Sequence, residues 1–185
     1  MKHTIRQIRA DEWRQAKELR LDALQDPVAS IAFLDTYEDA VARPDSHWQQ
    51  RTADAAEGKS VTTLVAEAPD GTWTGSVTVL VELPGQEAVF GGSPTVPQTH
   101  LVGVYVRPAG RGTGLAEELL RAAVEWSWGR PDVRVERARL YVHERNLRAM
   151  ALYRKLGFEE TGVTVPMERD PSATEYELAV GRPDA

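Results

Sequence analysis

The 185-residue sequence predicts a mixed α/β protein, a single sheet with helices on its faces. Three observations carry this. "VTTLVAEAPDGTWTGSVTVLVEL" reads as two β-branched runs around a Pro69-Asp70-Gly71 turn, an antiparallel hairpin. Two apolar-periodic helices, one from about Thr113 to Trp128 and one in "NLRAMALYRKLGF", each stand between strands, so at least one right-handed βαβ unit with parallel strands is expected. "TEYELAV" pairs back across "MERDPSA" as a closing hairpin.

The elements follow in order. "HTIRQIRA" (His3 to Ala10) is a short strand. "DEWRQAKELRLDALQD" places Trp13, Ala16, Leu19, Leu21 and Leu24 near a 3.6 period, with Asp11 as the expected N-cap and Asp26-Pro27 as the stop. "FLDTYEDAVA" is a looser helical segment, and Pro44-Asp45 starts a third helix around Trp48 that Gly58 breaks. After the hairpin, "PGQEAVFGGSPTVPQ" is a long Pro/Gly-rich loop, the kind that is often functional or mobile. "THLVGVYV" is the next strand, and "RARLYVH" (Arg137 to His143) follows the first long helix. Asn146 caps the second helix at its start and Gly157 at C′, and Phe158 opens a strand.

Length and an ordinary globular composition fit one domain over residues 1–185. The net charge of -6 argues against a nucleic-acid surface and for a basic or amine-bearing partner, with simple solubility as the plainer account. The absence of cysteine excludes disulfides, thiolate catalysis by the protein and cysteine metal sites. No apolar run approaches the roughly 20 residues of a membrane span. "MKHTIRQIRADEW" lacks a signal-peptide core, so a cytoplasmic protein is expected.

The chemistry centres on "VRPAGRGTGLAEELL", a glycine-rich turn between strand and helix. No GxxxxGK[ST] string occurs, and GxGxxG/A fails from Gly110 (ending on Leu115) and from Gly112 (ending on Glu117). What remains is R-x-x-G-x-A over Arg111, Gly112, Thr113, Gly114, Leu115 and Ala116. Glycines let backbone N–H groups approach an anion, the helix start adds unpaired donors, and Arg111 can fork onto a phosphate. A plain turn without ligand is the alternative. Further on, Asn146 and Tyr153 lie seven residues apart and share a helix face, with Leu152 and Leu156 towards the core. Together they read as a ligand wall; singly, as a cap and a core aromatic.

"VYVRPAGRGTGLAEELL" and "NLRAMALYRKLGF", in that order and spacing, resemble the cofactor motif and second motif of the GNAT acyltransferase superfamily. The likeness extends to the element order over nearly the whole chain. It implies a mostly antiparallel sheet whose parallel fourth and fifth strands splay, with helices on both faces. It implies acetyl-CoA or a related acyl-CoA as cosubstrate, no metal, and direct transfer to an amine acceptor. Val104, Tyr105 and Val106 would pair with the pantetheine, Arg111 to Ala116 would cradle the pyrophosphate, and Asn146 would face the pantetheine. Tyr153 would sit near the sulfur as the acid for the leaving thiolate. His100 stands where some amine-acetylating members carry a base, with Glu82 and His143-Glu144 as rivals. "FLDTYEDA" and the loop from Pro84 to Gln98 would wall the acceptor, where Glu38, Asp39 and Glu82 could attract a cation or simply be surface charges. Neither nucleic acid nor membrane is an expected partner, and a homodimer, common in the family, stays open. A non-catalytic acyl-CoA-binding sensor is the alternative to an enzyme.

Overall fold

A computed structural model describes residues 2–184. Strand β1 (Thr4–Gln7) leads to helices α1 (Trp13–Leu24), α2 (Ala29–Ala32), α3 (Tyr37–Ala42) and α4 (Asp45–Glu57). Strands β2 (Val61–Glu67), β3 (Trp73–Glu82) and β4 (Gln98–Val106) follow, then α5 (Leu115–Trp128), β5 (Arg137–His143), α6 (Leu147–Lys155), β6 (Glu159–Pro166) and β7 (Thr174–Gly181). The seven strands form one sheet in the order β1-β2-β3-β4-β5-β7-β6. Every neighbouring pair is antiparallel except β4 and β5, as the sequence predicted.

Helices cover both faces of the sheet's centre, while the edge strand β6 is largely exposed. Leu64 and Ala66 of β2 join Val77, Val79 and Leu101 beneath Leu115, Leu119, Leu120 and Ala123 of α5. Val65, between them, turns to the other face and packs with Leu19, Ala23, Trp48 and Ala55 of α1 and α4. Met150 and Tyr153 of α6 extend the first core over Leu140, Val142, Phe158 and Leu178.

The helix ends show where local chemistry won. Thr36 caps α3 by accepting the Asp39 N–H at 3.1 Å. Gly58, at φ +69°, closes α4. Gly157, at φ +90°, closes α6, where the N–H of Phe158 reaches the Tyr153 carbonyl at 3.1 Å. Asp11 does not cap α1. Glu12 occupies that place without capping, because its carboxylate accepts from Arg6 of β1 (2.6 and 3.0 Å) and from the Arg9 N–H (2.8 Å). The tie between β1 and α1 replaces the cap. The one-turn α2 just after Pro27 was not expected from the sequence.

The sheet parts in its middle. β4 and β5 pair only over Gln98–His100 against Arg137–Arg139. β5 then follows β7 in unbroken register as far as His143, while β4 follows β3. The β3–β4 register shifts between Ser76 and Thr78, where β4 holds an extra residue at Gly103, φ +62°. Such a bulge sharpens twist and turns a strand away from its neighbour. From Leu101 onward the β4 edge facing β5 is unpaired.

Close packing of β3, β4 and α5 behind the bulge depends on Gly75. A Cβ there would stand 2.6 Å from the Tyr105 carbonyl oxygen and 3.1 Å from Leu119 Cδ1. Gly75→Ala is expected to cost about 1–3 kcal/mol as an overpacked site, read as a fall of several degrees in Tm by calorimetry.

Candidate active site

The gap between β4 and β5 opens at their carboxyl ends, where the glycine turn enters α5. Pro108–Gly110 makes one 3-10 turn. Gly112 and Gly114 then adopt φ +75° and +87°. The backbone N–H groups of Gly112, Thr113 and Gly114 have no hydrogen-bond partner among the described residues, and the first turn of α5 adds further free donors. Leu115 is buried and pins the helix start, and Ala116 packs partly against the core. The turn is therefore a set of exposed donors on a fixed base.

The Arg111 guanidinium does not extend into that set. Its Nε donates to the Val106 carbonyl at 2.9 Å and its Nη2 pairs with Asp26, just past the end of α1. Burial pushes the Asp26 carboxyl up, but Arg111 and the Val28 N–H outweigh it and hold it below the usual range. What Arg111 offers an anion is its place in the backbone. Arg107 likewise pairs with Asp22 (2.9 Å) and Glu18 (3.4 Å) of α1.

On α6, Asn146 accepts the Ala149 N–H at 3.3 Å, the capping role of its two sequence readings. Tyr153 is buried beside Phe158, with ring centroids 6.2 Å apart. No hydrogen bond engages its hydroxyl among the described residues, and burial pushes the phenol up to about 12. The buried face of α6 is Met150 and Tyr153; Leu152 and Leu156, expected on the core side, are half-buried. The face read as a ligand wall thus also packs on the sheet.

At the root of the gap lies a buried ionic network. Arg139 of β5 donates to both oxygens of Glu82 on β3 (2.9 and 3.0 Å) and to Glu177 on β7 (2.9 Å). Gln98 donates to Glu82 at 2.8 Å, and His100 Nδ1 stands 3.3 Å from it. Burial pushes Glu82 up, yet His100, Arg139 and Gln98 together draw it down to about 2. An ionised carboxylate only accepts, so Nδ1 carries the hydrogen in this contact. The two rival bases of the sequence are therefore one pair. The third, His143, is buried and accepts the Arg145 N–H on Nδ1 at 3.0 Å, while Glu144 receives the Thr174 N–H at 3.2 Å. Both hold the turn between β5 and α6.

The Pro/Gly-rich loop covers this network. Gly92 accepts from Arg139 at 2.8 Å, and Phe90 meets Tyr141 edge-on at 5.0 Å. A Cβ on Gly91 would lie 2.3 Å from the Tyr141 hydroxyl, so the lid needs its glycine. Sequence reasoning missed Arg139, Glu177 and Tyr141. The available signal was "RARLYVH", where arginines fall on alternate positions of a strand too central to face water on either side. Glu38 and Asp39 are exposed on α3, and Asp39 meets Arg169 at 3.5 Å. Among the described residues, no three His, Asp or Glu side chains gather to hold a metal, and no helix is long and apolar enough to cross a membrane.

A split mixed sheet with a donor-lined turn at its opening is the arrangement that the resemblance of the two motifs implies for an acyl-CoA-dependent acyltransferase. Residues 13–158 match the Acetyltransferase (GNAT) family, and the chain belongs to that family. No curated protein matches the sequence. Similar solved structures include a GCN5-related N-acetyltransferase from Kribbella flavida, at 19% identity and TM-score 0.70 over 97% of this chain and 98% of that one. Another is yncA, a putative acetyltransferase from Salmonella typhimurium solved with its cofactor acetyl-CoA, at 19% identity and TM-score 0.69 over 100% and 99%. A third is the paia N-acetyltransferase from Thermoplasma acidophilum in complex with coenzyme A, at 18% identity and TM-score 0.67 over 96% and 98%.

Glu82 sets an acid-stability signature. Its folded pKa lies below the ordinary value of 4.5, so its stabilisation is fully present above about pH 4.5 and is lost as pH falls towards 2. Glu82→Gln should cost about 3–5 kcal/mol at neutral pH and flatten the loss of stability between pH 4.5 and 2, measured by denaturant melts across that range.

Proposed function

We propose that this protein transfers an acetyl group from acetyl-CoA to a primary amine by direct attack in a ternary complex. The observation that carries the reading is the unpaired β4 edge from Leu101 to Val106, with a donor-lined turn at its end and, on α6, a buried tyrosine whose hydroxyl has no partner among the described residues. The two solved relatives that hold acetyl-CoA or coenzyme A share this fold.

Val104, Tyr105 and Val106, on the β4 edge that β5 leaves, would lie along the extended pantetheine and offer it the backbone groups not already taken by β3 and Arg111. The N–H groups of Gly112, Thr113 and Gly114 and the first turn of α5 would hold the pyrophosphate. Asn146, at the head of α6, would border the pantetheine. Acetyl-CoA supplies a thioester carbonyl open to attack.

A lysine-like amine has a pKa of about 10 and must shed a proton before it attacks. His100, oriented by Glu82, offers Nε2 for that proton, relayed by water because the ring is 1% exposed. Glu82 is a poor base, since Arg139 and His100 keep it ionised to about pH 2. As the amine nitrogen bonds to the carbonyl carbon, an N–H of the bulged β4 strand receives the oxyanion. The C–S bond then breaks, Tyr153 gives its proton to the thiolate, and the proton that the attacking nitrogen sheds as the amide forms passes through solvent to restore the phenol. Burial keeps the phenolic proton in place at neutral pH.

Release of free thiol from acetyl-CoA across a panel of amines tests the activity. Tyr153→Phe is expected to lower kcat by about 100-fold with little change in KM for acetyl-CoA. Because the phenol holds its proton to about pH 12, the wild-type rate should show no alkaline fall from this group across the measurable range. Full turnover by the Phe variant at every pH would remove Tyr153 as the acid. Identical pH profiles for wild type and His100→Ala between pH 6 and 9 would remove His100 as the base.

A further inference from the structure

A cavity of about 60 Å³ lies on the α1–α4 side of the sheet and reaches the bulge. Arg20 of α1, Trp48 and Arg51 of α4, and Gly103 and Tyr105 of β4 are among its walls. It holds roughly four water-sized groups. Arg51, Ala55, Thr63 and Thr78 also line an open cleft of about 590 Å³, which runs out past His47 and Val89. The cleft includes Val102, two residues along β4 from His100 and on the same face.

The inner cavity has a one-sided chemistry. Its charged walls are Arg20 and Arg51; no carboxylate lines it. Its orphaned groups are all donors. Trp48 is 3% exposed and its Nε1 is buried without a partner; so is Nε of Arg20. Arg51, exposed where the cavity meets the open cleft, makes no hydrogen bond or ion pair among the described residues. Around it stand Arg20, Arg43, His47 and one acid, Asp35, which Arg20 meets at 3.1 Å and Arg43 at 3.8 Å. Asp54, on the outer cleft, accepts from Gln50 at 2.8 Å. Arg20 Nη1 points at the bulge, 3.9 Å from where a Cβ on Gly103 would be. The buried orphans are Nε of Arg20 and Nε1 of Trp48; buried donors without acceptors are costly, and a group that only accepts would relieve them while meeting the exposed Arg51 guanidinium.

We propose that the acceptor is an amine carrying its own carboxylate, an amino acid, whose carboxylate is held by Arg51 and Arg20 while its amine faces the Gly103 bulge. This rests on the acetyl-transfer reading above and narrows it. The amino-acid side chain occupies the wider cleft. The acidic residues considered from the sequence as cation attractors do not line the cavity: Glu38 and Asp39 are exposed on α3, and Glu82 is taken by Arg139. A polyamine would meet arginines where it needs acids.

The test pairs each amino acid with its amide and with the amine lacking the carboxylate. Turnover is followed by thiol release, and binding by calorimetry on the full chain with coenzyme A present. At least one amino acid should bind and be acetylated with kcat/KM tenfold or more above its amide and its decarboxylated amine. Arg51→Gln should bring that ratio close to one, and Arg51→Lys should restore part of it. Arg51 holds no other side chain, so both variants keep the fold. Amides or polyamines turned over as well as any amino acid would overturn the proposal and leave acetyl transfer standing. Amino-acid binding with the same carboxylate and Arg51 dependence but no thiol release would uphold the cavity assignment and overturn the transfer reading. Absence of any amino-acid binding would overturn the proposal.

Discussion

The guanidinium of Arg139 is the pivot of this molecule. It joins Glu82 on β3 to Glu177 on β7, across the place where β4 and β5 cease to pair. Three residue pairs are little backbone adhesion between the halves of a seven-stranded sheet. A buried ion network in which each charge is met does there what a ladder does elsewhere. Its cost is desolvation, offset by bidentate geometry and by Gln98, Tyr141 and the lid carbonyls that fill the remaining positions. Because the halves are fastened at the root by side chains, the strands beyond are free to diverge.

Much of this was legible in the sequence because local rules and tertiary structure agree along most of the chain. The hairpin of β2 and β3, the limits of β5, and the closing of α4 and α6 by Gly58 and Gly157 follow from patterning and turn chemistry. The split sheet came from the resemblance carried by two motifs, and the family match over residues 13–158 accords with it. Three readings depended on contacts between elements. Glu12 displaces Asp11 because Arg6 needs it, Arg111 turns from the anion turn to Asp26, and His100 and Glu82 are partners rather than rivals. The first pair is only six residues apart but joins a strand to a helix, and the other two lie beyond any local window.

Charge was the least legible quantity. The net charge of -6 suggested a cationic partner, yet the cavity beside the bulge is walled by arginines. The acids responsible for the total sit largely on outer helix surfaces or in tight pairs with arginine. A sum over a chain constrains solubility and long-range attraction. The sign of the field inside a small cavity is set by the few side chains whose helices bring them there.

Helix α1 shows what such placement entails. Glu18 and Asp22 on one side of it, with Asp26 just beyond its end, grip Arg107 and Arg111 of the glycine turn. Arg20, on another side, borders the cavity. One twelve-residue rod thus touches both compartments of the site. Were both compartments filled as proposed, a tilt of α1 at one would bear on the other, and any such coupling would be reciprocal.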